Sequence, residues 1–476
     1  MSKTKLSTIA LSLFFVFFFF GYSQAKSIIK PVFEKVYDSF EDINSVAVDK
    51  DGYLIICGTY SDDRSGYVAK INSTDGEIVW VYYLKNSPTF SNVDFTSSNT
   101  VSEYYDVIVD DQGNYYAAGG LNYWDYNVFL ITKFDSSGQI IWEKTYGGIP
   151  RPENNEELTY YNYLLAQSFD RNGSLWAVGQ ADTSTSTGSI LLQIDPQTGN
   201  ELWRLPLYWR RFYKMVFDEN DYLVLAGYSY DPDNGDYIVN LTKFSISSKT
   251  ISWQEDYAIW GKGATAYDIK IDQDGSYVVT GGERNATTLG IEGYVPFIMK
   301  ISSDGQILQS NHFDQALRLV NLLITDEGNY IVTVDGNNSF NESILTHGIY
   351  ELGANFSNIN WAYGDVADWF VVWANHWILS DLSQIAPKDY VLVYSYSQAT
   401  IFRFRVEQEV QMGDVDADGK LSVIDALLVA RYALGLSQKQ LDPSVADLNC
   451  DGKVNIIDAL YIARMALGFS ISNTCK

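Results

Sequence analysis

Apolar and polar residues alternate in short runs along most of this chain, and the runs come in sets. Val46-Ala-Val-Asp49-Lys-Asp-Gly52-Tyr-Leu-Ile-Ile-Cys-Gly58 reads as a strand, a tight turn and a second strand ending on glycine. The phrase returns as Val107-Ile-Val-Asp-Asp-Gln-Gly113-Asn-Tyr-Tyr-Ala-Ala-Gly119, then at 170–179, 218–227 and 272–281, and in weaker form at 325–334. Its turn position falls on Gly52, Gly113, Gly173, Asp221, Gly275 and Gly328, a period of roughly fifty to sixty residues. A second phrase follows a third strand in each unit. Asp75-Gly-Glu-Ile-Val-Trp80, Ser137-Gly-Gln-Ile-Ile-Trp142 and Thr198-Gly-Asn-Glu-Leu-Trp203 all open a fourth strand on tryptophan. Trp253 keeps the same distance from Lys249, Gln309 replaces the tryptophan after Gly305, and Trp361 restores it. Helical periodicity is confined to the C-terminus, over 423–434 and 456–467, each stretch closed by a glycine, Gly435 and Gly468.

Four short antiparallel strands per unit predict an all-β fold, a β-propeller, with the recurrent tryptophan filling the gap between blades. Phe33-Glu-Lys-Val-Tyr37 copies Trp142-Glu-Lys-Thr-Tyr146, an outer strand, but has no inner strands before it. At the other end, residues 377–380, 390–396 and 400–406 supply three strands with no fourth. The N-terminal strand is therefore expected to complete the last blade and remove the ring's edges. That gives about seven blades; eight is the rival count, because 150–165 carry no assigned strand. The phrases resemble repeats of quinoprotein-type (PQQ-like) and WD40-like propellers over most of 33–406. The resemblance encodes a blade rather than an activity. The adjacent cysteine pair typical of quinoprotein dehydrogenases is missing here, which argues against a PQQ enzyme.

The two C-terminal helices each follow an acidic loop. The first reads Asp414-Val-Asp416-Ala-Asp418-Gly419-Lys420-Leu-Ser422-Val-Ile-Asp425, the second Asp447-Leu-Asn449-Cys-Asp451-Gly452-Lys453-Val-Asn455-Ile-Ile-Asp458. Oxygen side chains stand at loop positions 1, 3, 5, 9 and 12, with a glycine at 6 for the sharp turn and Lys420 and Lys453 at position 7. This is the pattern that gives calcium its oxygens. Position 12 is Asp rather than the longer Glu, and no convincing helix enters either loop: 402–406 alternates like a strand, and 438–445 is broken by Pro443. A calcium loop with an exiting helix only, given twice, resembles a type I dockerin over roughly 412–470. The resemblance implies a small α-helical domain holding two calcium ions and docking onto a cohesin module of a scaffold or surface protein. Contacts in that family come from loop positions 10 and 11 and the following helix, here Val423, Ile424 and Arg431, then Ile456, Ile457 and Arg464. Near-identical copies imply pseudo-twofold symmetry and two binding orientations.

The N-terminus reads as a secretory signal peptide over 1–25: Lys3 and Lys5, an apolar run over 9–20, and small residues before Ala25. The run is too short to span a bilayer, and no other segment is apolar enough. The expected organisation is signal peptide 1–25, propeller 26–408 and dockerin 409–476, in a secreted, extracellular or surface-complex setting with no membrane span after cleavage. A net charge of −26 argues against nucleic acid and anionic membranes as partners. Cys57 reads as a buried thiol, and Cys450 and Cys475 are candidates for a disulfide clasping the C-terminus.

Catalytic chemistry is not visible. His312, His347 and His376 lack metal-ligand spacing, and no nucleophile elbow or phosphate loop occurs. Among 59 acidic residues a carboxylate pair for glycoside hydrolysis would go unnoticed. Most Asp-x-x-Gly aspartates read as turn formers. Aromatic clusters between the strand phrases are the stronger signal: Tyr104-Tyr105, Tyr123-Trp-Asp-Tyr126, Tyr160-Tyr-Asn-Tyr163, Tyr208-Trp-Arg-Arg-Phe-Tyr213, Trp369 and Trp373. Such rings suit stacking on sugars. The expected function is a calcium-dependent docking protein that presents a propeller for polysaccharide or protein binding in polysaccharide catabolism. The alternative is a carbohydrate-active enzyme, a glycoside hydrolase or lyase.

Overall fold

A computed structural model describes residues 27–97, 100–123, 126–147, 159–183, 188–231, 236–257, 263–285, 293–313, 318–335, 347–356, 359–363, 381–395, 399–408, 412–416, 421–437 and 441–469. The chain divides into a unit of residues 29–407 and a second that holds residues 408–476. The first contains seven four-stranded antiparallel sheets. Six are consecutive in sequence: blade 1 over 40–83, blade 2 over 100–146, blade 3 over 159–208, blade 4 over 210–257, blade 5 over 264–312 and blade 6 over 318–363. Blade 7 combines Asp381–Ala386, Asp389–Ser395 and Ala399–Gln408 with the N-terminal strand Ser27–Tyr37 as its outermost member. Each blade's first strand packs against the first strand of the next, and blade 7 returns to blade 1, so the ring closes at seven. Two expectations shift. The inner strand of blade 7 is Asp381–Ala386, while 377–380 lie outside the described residues. The unassigned stretch before 165 yields the inner strand of blade 3, Thr159–Phe169.

The repeated tryptophan packs between blades. Trp142 lies against Tyr116 (5.9 Å between centroids) and donates from Nε1 to the Pro196 carbonyl of blade 3 at 3.0 Å. Trp253 makes the same bond to Ser303 of blade 5 at 3.1 Å. A Cβ on the turn glycine of the following blade would strike the indole, at 2.8 Å for Gly138 on Trp80 and 2.7 Å for Gly199 on Trp142. The tyrosine ending the outer strand donates to that turn's carbonyl: Tyr146 to Gly199 at 2.8 Å, Tyr257 to Gly305 at 2.8 Å, and Tyr37 to Gly76 at 2.6 Å. The N-terminal strand thus repeats the outer-strand chemistry its sequence copies.

Each of the six consecutive blades bears a bulge in its inner strand, leaving one extra residue: Asn44, Tyr105, Leu165, Tyr213, Tyr267 and Val320. A bulge bends the strand and turns side chains toward new directions. It also explains the glycine in the second strand of five of them. A Cβ on Gly58, Gly119, Gly179 or Gly227 would sit 1.9–2.0 Å from a carbonyl oxygen of the bulged strand, and on Gly281 2.1 Å from that of Thr265.

The residue after each bulge is polar in five blades, and three aspartates at this level stitch neighbouring blades. Asp106 accepts from Gln167 N at 2.8 Å, Asp268 from Leu322 N at 2.9 Å and Asp381 from Val46 N at 3.0 Å. Lys214 occupies the same position in blade 4. Burial would lower its pKa, but the carboxylates of Asp381, Asp106 and Asp268 outweigh that and hold the ammonium charged well above the usual lysine range. The Asp-x-x-Gly aspartates do more than form turns. Asp49 accepts from Asp51 N and Tyr53 N at 2.9 and 2.8 Å, and its other oxygen meets Lys70 Nζ at 2.9 Å and Tyr115 of blade 2 at 3.0 Å. Asp218, Lys243 and Tyr277 repeat the arrangement between blades 4 and 5.

Two expected outcomes follow. Gly119→Ala should lower unfolding free energy by about 1–3 kcal/mol, because the Cβ must displace the Glu103 carbonyl; thermal melts with an unchanged midpoint would refute the bulge constraint. Glu283, 4% exposed at the end of a blade 5 strand, has its pKa pushed up by burial to about 7. Folding therefore takes up a proton between the ordinary carboxylate value and pH 7. The stabilisation is complete below the unfolded pKa and is lost as pH rises through about 7. Glu283→Gln should raise the melting temperature at pH 8 and leave it nearly unchanged at pH 4, measured by calorimetry at both values.

Candidate metal centre and docking face

The second unit is built on two helices of matching design, α1 (Val423–Ala433) and α3 (Ile456–Ala466), with a one-turn helix α2 (Pro443–Ala446) before the second loop. Each long helix starts on an extended N-cap with a capping box. Ser422 Oγ accepts from Ile424 N at 3.1 Å, and Asn455 Oδ1 from Ile457 N at 2.8 Å. Reciprocally, Asp425 accepts from Ser422 N and Asp458 from Asn455 N, both at 2.8 Å. The second oxygen of each aspartate reaches back to the loop's start, accepting from Val415 N and from Leu448 N at 3.0 Å. One fully buried carboxylate per copy therefore ties loop to helix, which a longer Glu at position 12 would overshoot. Each helix ends in a glycine-closed turn: Gly435 and Gly468 take positive φ, and Leu436 N and Phe469 N return to Arg431 O and Arg464 O.

The loops gather oxygens. Asp414, Asp416 and Asp425 each offer a carboxylate oxygen, all within 4.8 Å of one another, and Asp414 and Asp425 are buried. In the second loop Asp447 accepts from Gly452 N at 2.8 Å and from Asp451 N at 3.2 Å, and Asn449 Oδ1 accepts from Asp451 N at 3.0 Å, curling the chain about the same centre. Asp418 and Lys420 lie outside the described residues; Lys453 is exposed, and its backbone N–H donates to Asp451 at 2.9 Å. Ser422 and Asn455, at loop position 9, also cap the two helices. Converging carboxylates in a partly desolvated site repel strongly without a cation. Calcium takes roughly six to eight hard oxygen donors, and this donor set is of that kind.

Residues 412–466 match the family model of the dockerin type I domain. A dockerin domain binds calcium and implies docking onto a cohesin module. No curated protein matches the chain. Solved structures similar to it include the WD40 domain of Neurospora crassa Pan2, at 12% identity and TM-score 0.48, covering 81% of this chain and 98% of that one. The WD40 β-propeller domain of Doa1 is similar at 9% identity and TM-score 0.47, with 80% and 97% covered. The quinohemoprotein alcohol dehydrogenase ADHIIG of Pseudomonas putida HK5 follows at 8% identity and TM-score 0.44, with 80% and 77% covered. The seven-bladed assignment itself rests on the sheet topology.

In the dockerin domain α1 packs on α3 through Ala426, Val429, Ala459 and Ile462, with Leu441, Ala446 and Leu448 closing the core. Leu427, Leu434, Leu460 and Leu467, one face of the helical periodicity over 423–434 and 456–467, are 57–66% exposed. At loop positions 10 and 11, Val423, Ile424, Ile456 and Ile457 are 55, 57, 53 and 46% exposed, so none packs the two helices together. Arg431 and Arg464 are exposed as well. Cys450 is disulfide-bonded, and Cys57 is a free, buried thiol; the expected partner Cys475 lies outside the described residues, as do residues 1–26, His376, Trp369 and Trp373. No helix among the described residues is long and apolar enough to cross a membrane.

Chelation with EGTA should unfold the dockerin domain while the propeller stays folded, because metal free energy supports only the small unit. Circular dichroism should lose helical signal and keep the strand signal. A helical signal indifferent to calcium would refute the metal assignment.

Proposed function

We propose that this chain is an exported, calcium-dependent docking protein whose dockerin domain seats on a cohesin-bearing scaffold or cell surface and whose propeller is the binding module delivered there. The observation that carries the reading is the pair of matched loop–helix units, each keeping two β-branched apolar residues and one arginine in solvent beside an oxygen-rich loop. Isolated exposed apolar residues are unremarkable, but two such sets at the same positions amount to a patch that a partner would cover. We assign two calcium ions to the loops, one held by Asp414, Asp416, Asp418, Lys420, Ser422 and Asp425 and the other by Asp447, Asn449, Asp451, Lys453, Asn455 and Asp458. Val423, Ile424 and Arg431, or their counterparts Ile456, Ile457 and Arg464, contact the cohesin in one of two orientations. Cleavage after residue 25 releases the chain, and the boundary between its two working parts falls near residue 408.

For the propeller we propose polysaccharide as the ligand class, in a setting of polysaccharide breakdown. The aromatic rings about Trp209, where blade 3 connects to blade 4, support this, and so does the company a docking domain implies. Tyr104-Tyr105 and Tyr160–Tyr163 instead lie within inner strands, and Tyr123 ends one strand of blade 2 where Tyr126 begins the next. The accessory reading is tested by incubating the purified protein with plant and microbial polysaccharides and scoring both pull-down and new reducing ends. Binding without product supports it; product formation would replace it with an enzymatic role. For docking, Asp414→Ala with Asp447→Ala should abolish cohesin capture in calcium-containing buffer. Retained capture would refute the interface.

A further inference from the structure

One end of blade 4 carries an unbroken run of aromatic rings. It starts at the bulged residues Tyr267 and Tyr213, whose centroids are 5.9 Å apart, and passes to Tyr228 at 6.2 Å and Tyr237 at 4.6 Å. From there it reaches Tyr230 at 5.8 Å and ends on Trp209, which lies 6.0 Å from Tyr230 with the two planes only 21° apart. Tyr267 and Tyr228 are buried as the base of the run, whereas Trp209 and Tyr237 are 42 and 43% exposed at its top.

Trp209 is the unusual member. It is the single residue joining the outer strand of blade 3 (Glu201–Tyr208) to the inner strand of blade 4 (Arg210–Phe217). Its φ is +62°, a left-handed conformation that a bulky residue adopts at a cost. Glycine or asparagine would make this turn more cheaply. The tryptophan is nevertheless fixed there, its carbonyl accepting from Tyr230 N at 2.8 Å, with its indole exposed beside Tyr230. Strain that holds a large ring in solvent yields no core packing; it presents a surface.

We propose that this run is a binding track for a neutral polysaccharide chain, whose pyranose faces stack on Trp209, Tyr230 and Tyr237. The proposal rests on the polysaccharide reading of the propeller and locates it. At the top of the run Trp209 and Tyr230 lie near-parallel at 21°, Tyr237 is tilted by 53° to Tyr230, and tyrosine hydroxyls stand at the edges, a set that suits sugar rings better than an aliphatic protein surface. Of the three guanidinium groups nearby, Arg211 lies over Tyr228 at 5.8 Å and Arg318 over Tyr267 at 5.9 Å, and these stiffen the base, while Arg210 donates to the Tyr208 carbonyl at 3.2 Å. A chain of net charge −26 also disfavours a polyanion.

The test uses the full-length protein with calcium, xyloglucan and glucomannan as neutral probes, and polygalacturonate as the anionic one. Trp209→Ala and Tyr237→Ala should each weaken binding of a neutral probe about tenfold or more, with near-wild-type melting temperatures and undiminished cohesin capture. Trp209→Gly, which relieves the backbone strain, should melt no lower than wild type yet lose binding equally. Wild-type binding that survives all three substitutions would overturn the track and leave the polysaccharide reading intact. Binding of polygalacturonate alone would overturn the neutral assignment, and no binding to any probe would overturn the polysaccharide reading itself.

Discussion

An ionised carboxylate taken out of water must be given positive charge or hydrogen-bond donors, and this acidic chain meets that demand in two ways. In the ring the donors come from the carboxylate's own blade and from the neighbouring one. Asp49 and Asp218 each hold a lysine of their own blade and a tyrosine of the following one, while Asp106, Asp268 and Asp381 accept backbone N–H groups across the same seam. In the C-terminal unit Asp425 and Asp458 are satisfied by loop and cap amides, and Asp414 and Asp416 bring further carboxylate oxygens within 4.8 Å of one on Asp425. Acidic oxygens gathered this closely favour a divalent cation among them. The same side chain therefore acts as a permanent rivet in one unit and as half of a metal-controlled one in the other.

The division has consequences for robustness. A ring in which every blade packs on the next has no open end, leaves only short outer strands as sheet edges, and needs no ligand to stay closed. A unit with two eleven-residue helices and a core of about seven buried side chains is small by any measure. Such a unit gains most from binding energy that the unfolded chain cannot collect. Placing docking on the calcium-dependent unit lets calcium control attachment without touching the fold of the ring.

The blade repeat was legible because the features that mark it are steric necessities. The first-turn glycines that give the period, Gly52, Gly113, Gly173, Gly275 and Gly328, all take positive φ, and the second-turn glycines Gly138 and Gly199 take positive φ under a tryptophan of the preceding blade. The N-terminal strand was legible for the same reason: Tyr37 repeats the bond that Tyr146 makes. The bulges were not, since a single inserted residue leaves the apolar alternation readable on either side of it. Their only trace is the glycine ending the second strand, whose meaning is plain once the opposing carbonyl is seen 2 Å from its Cβ position. The second task of the Asp-x-x-Gly aspartates was hidden too, because the tyrosine partners lie 66 and 59 residues away in the next blade.

The dockerin helices show a different limit. Nearly every residue from Val423 to Ala433 except Asp425 and Arg431 is apolar or small, so a spacing of three and four can be drawn on more than one face. The face that packs is decided by size rather than hydrophobicity: Ala426 and Ala459 let α1 and α3 approach closely, with Val429 and Ile462 filling the seam. Leucines at 427, 434, 460 and 467 are too large for that seam and are left outside. An apolar helix in so small a unit cannot bury both faces against its one partner helix. The leftover face is a direct cost in solvent, and it is repeated in both copies. A lone destabilised surface could be an accident of one helix; the same surface, built twice around the same capped aspartate, is what a partner-binding unit requires.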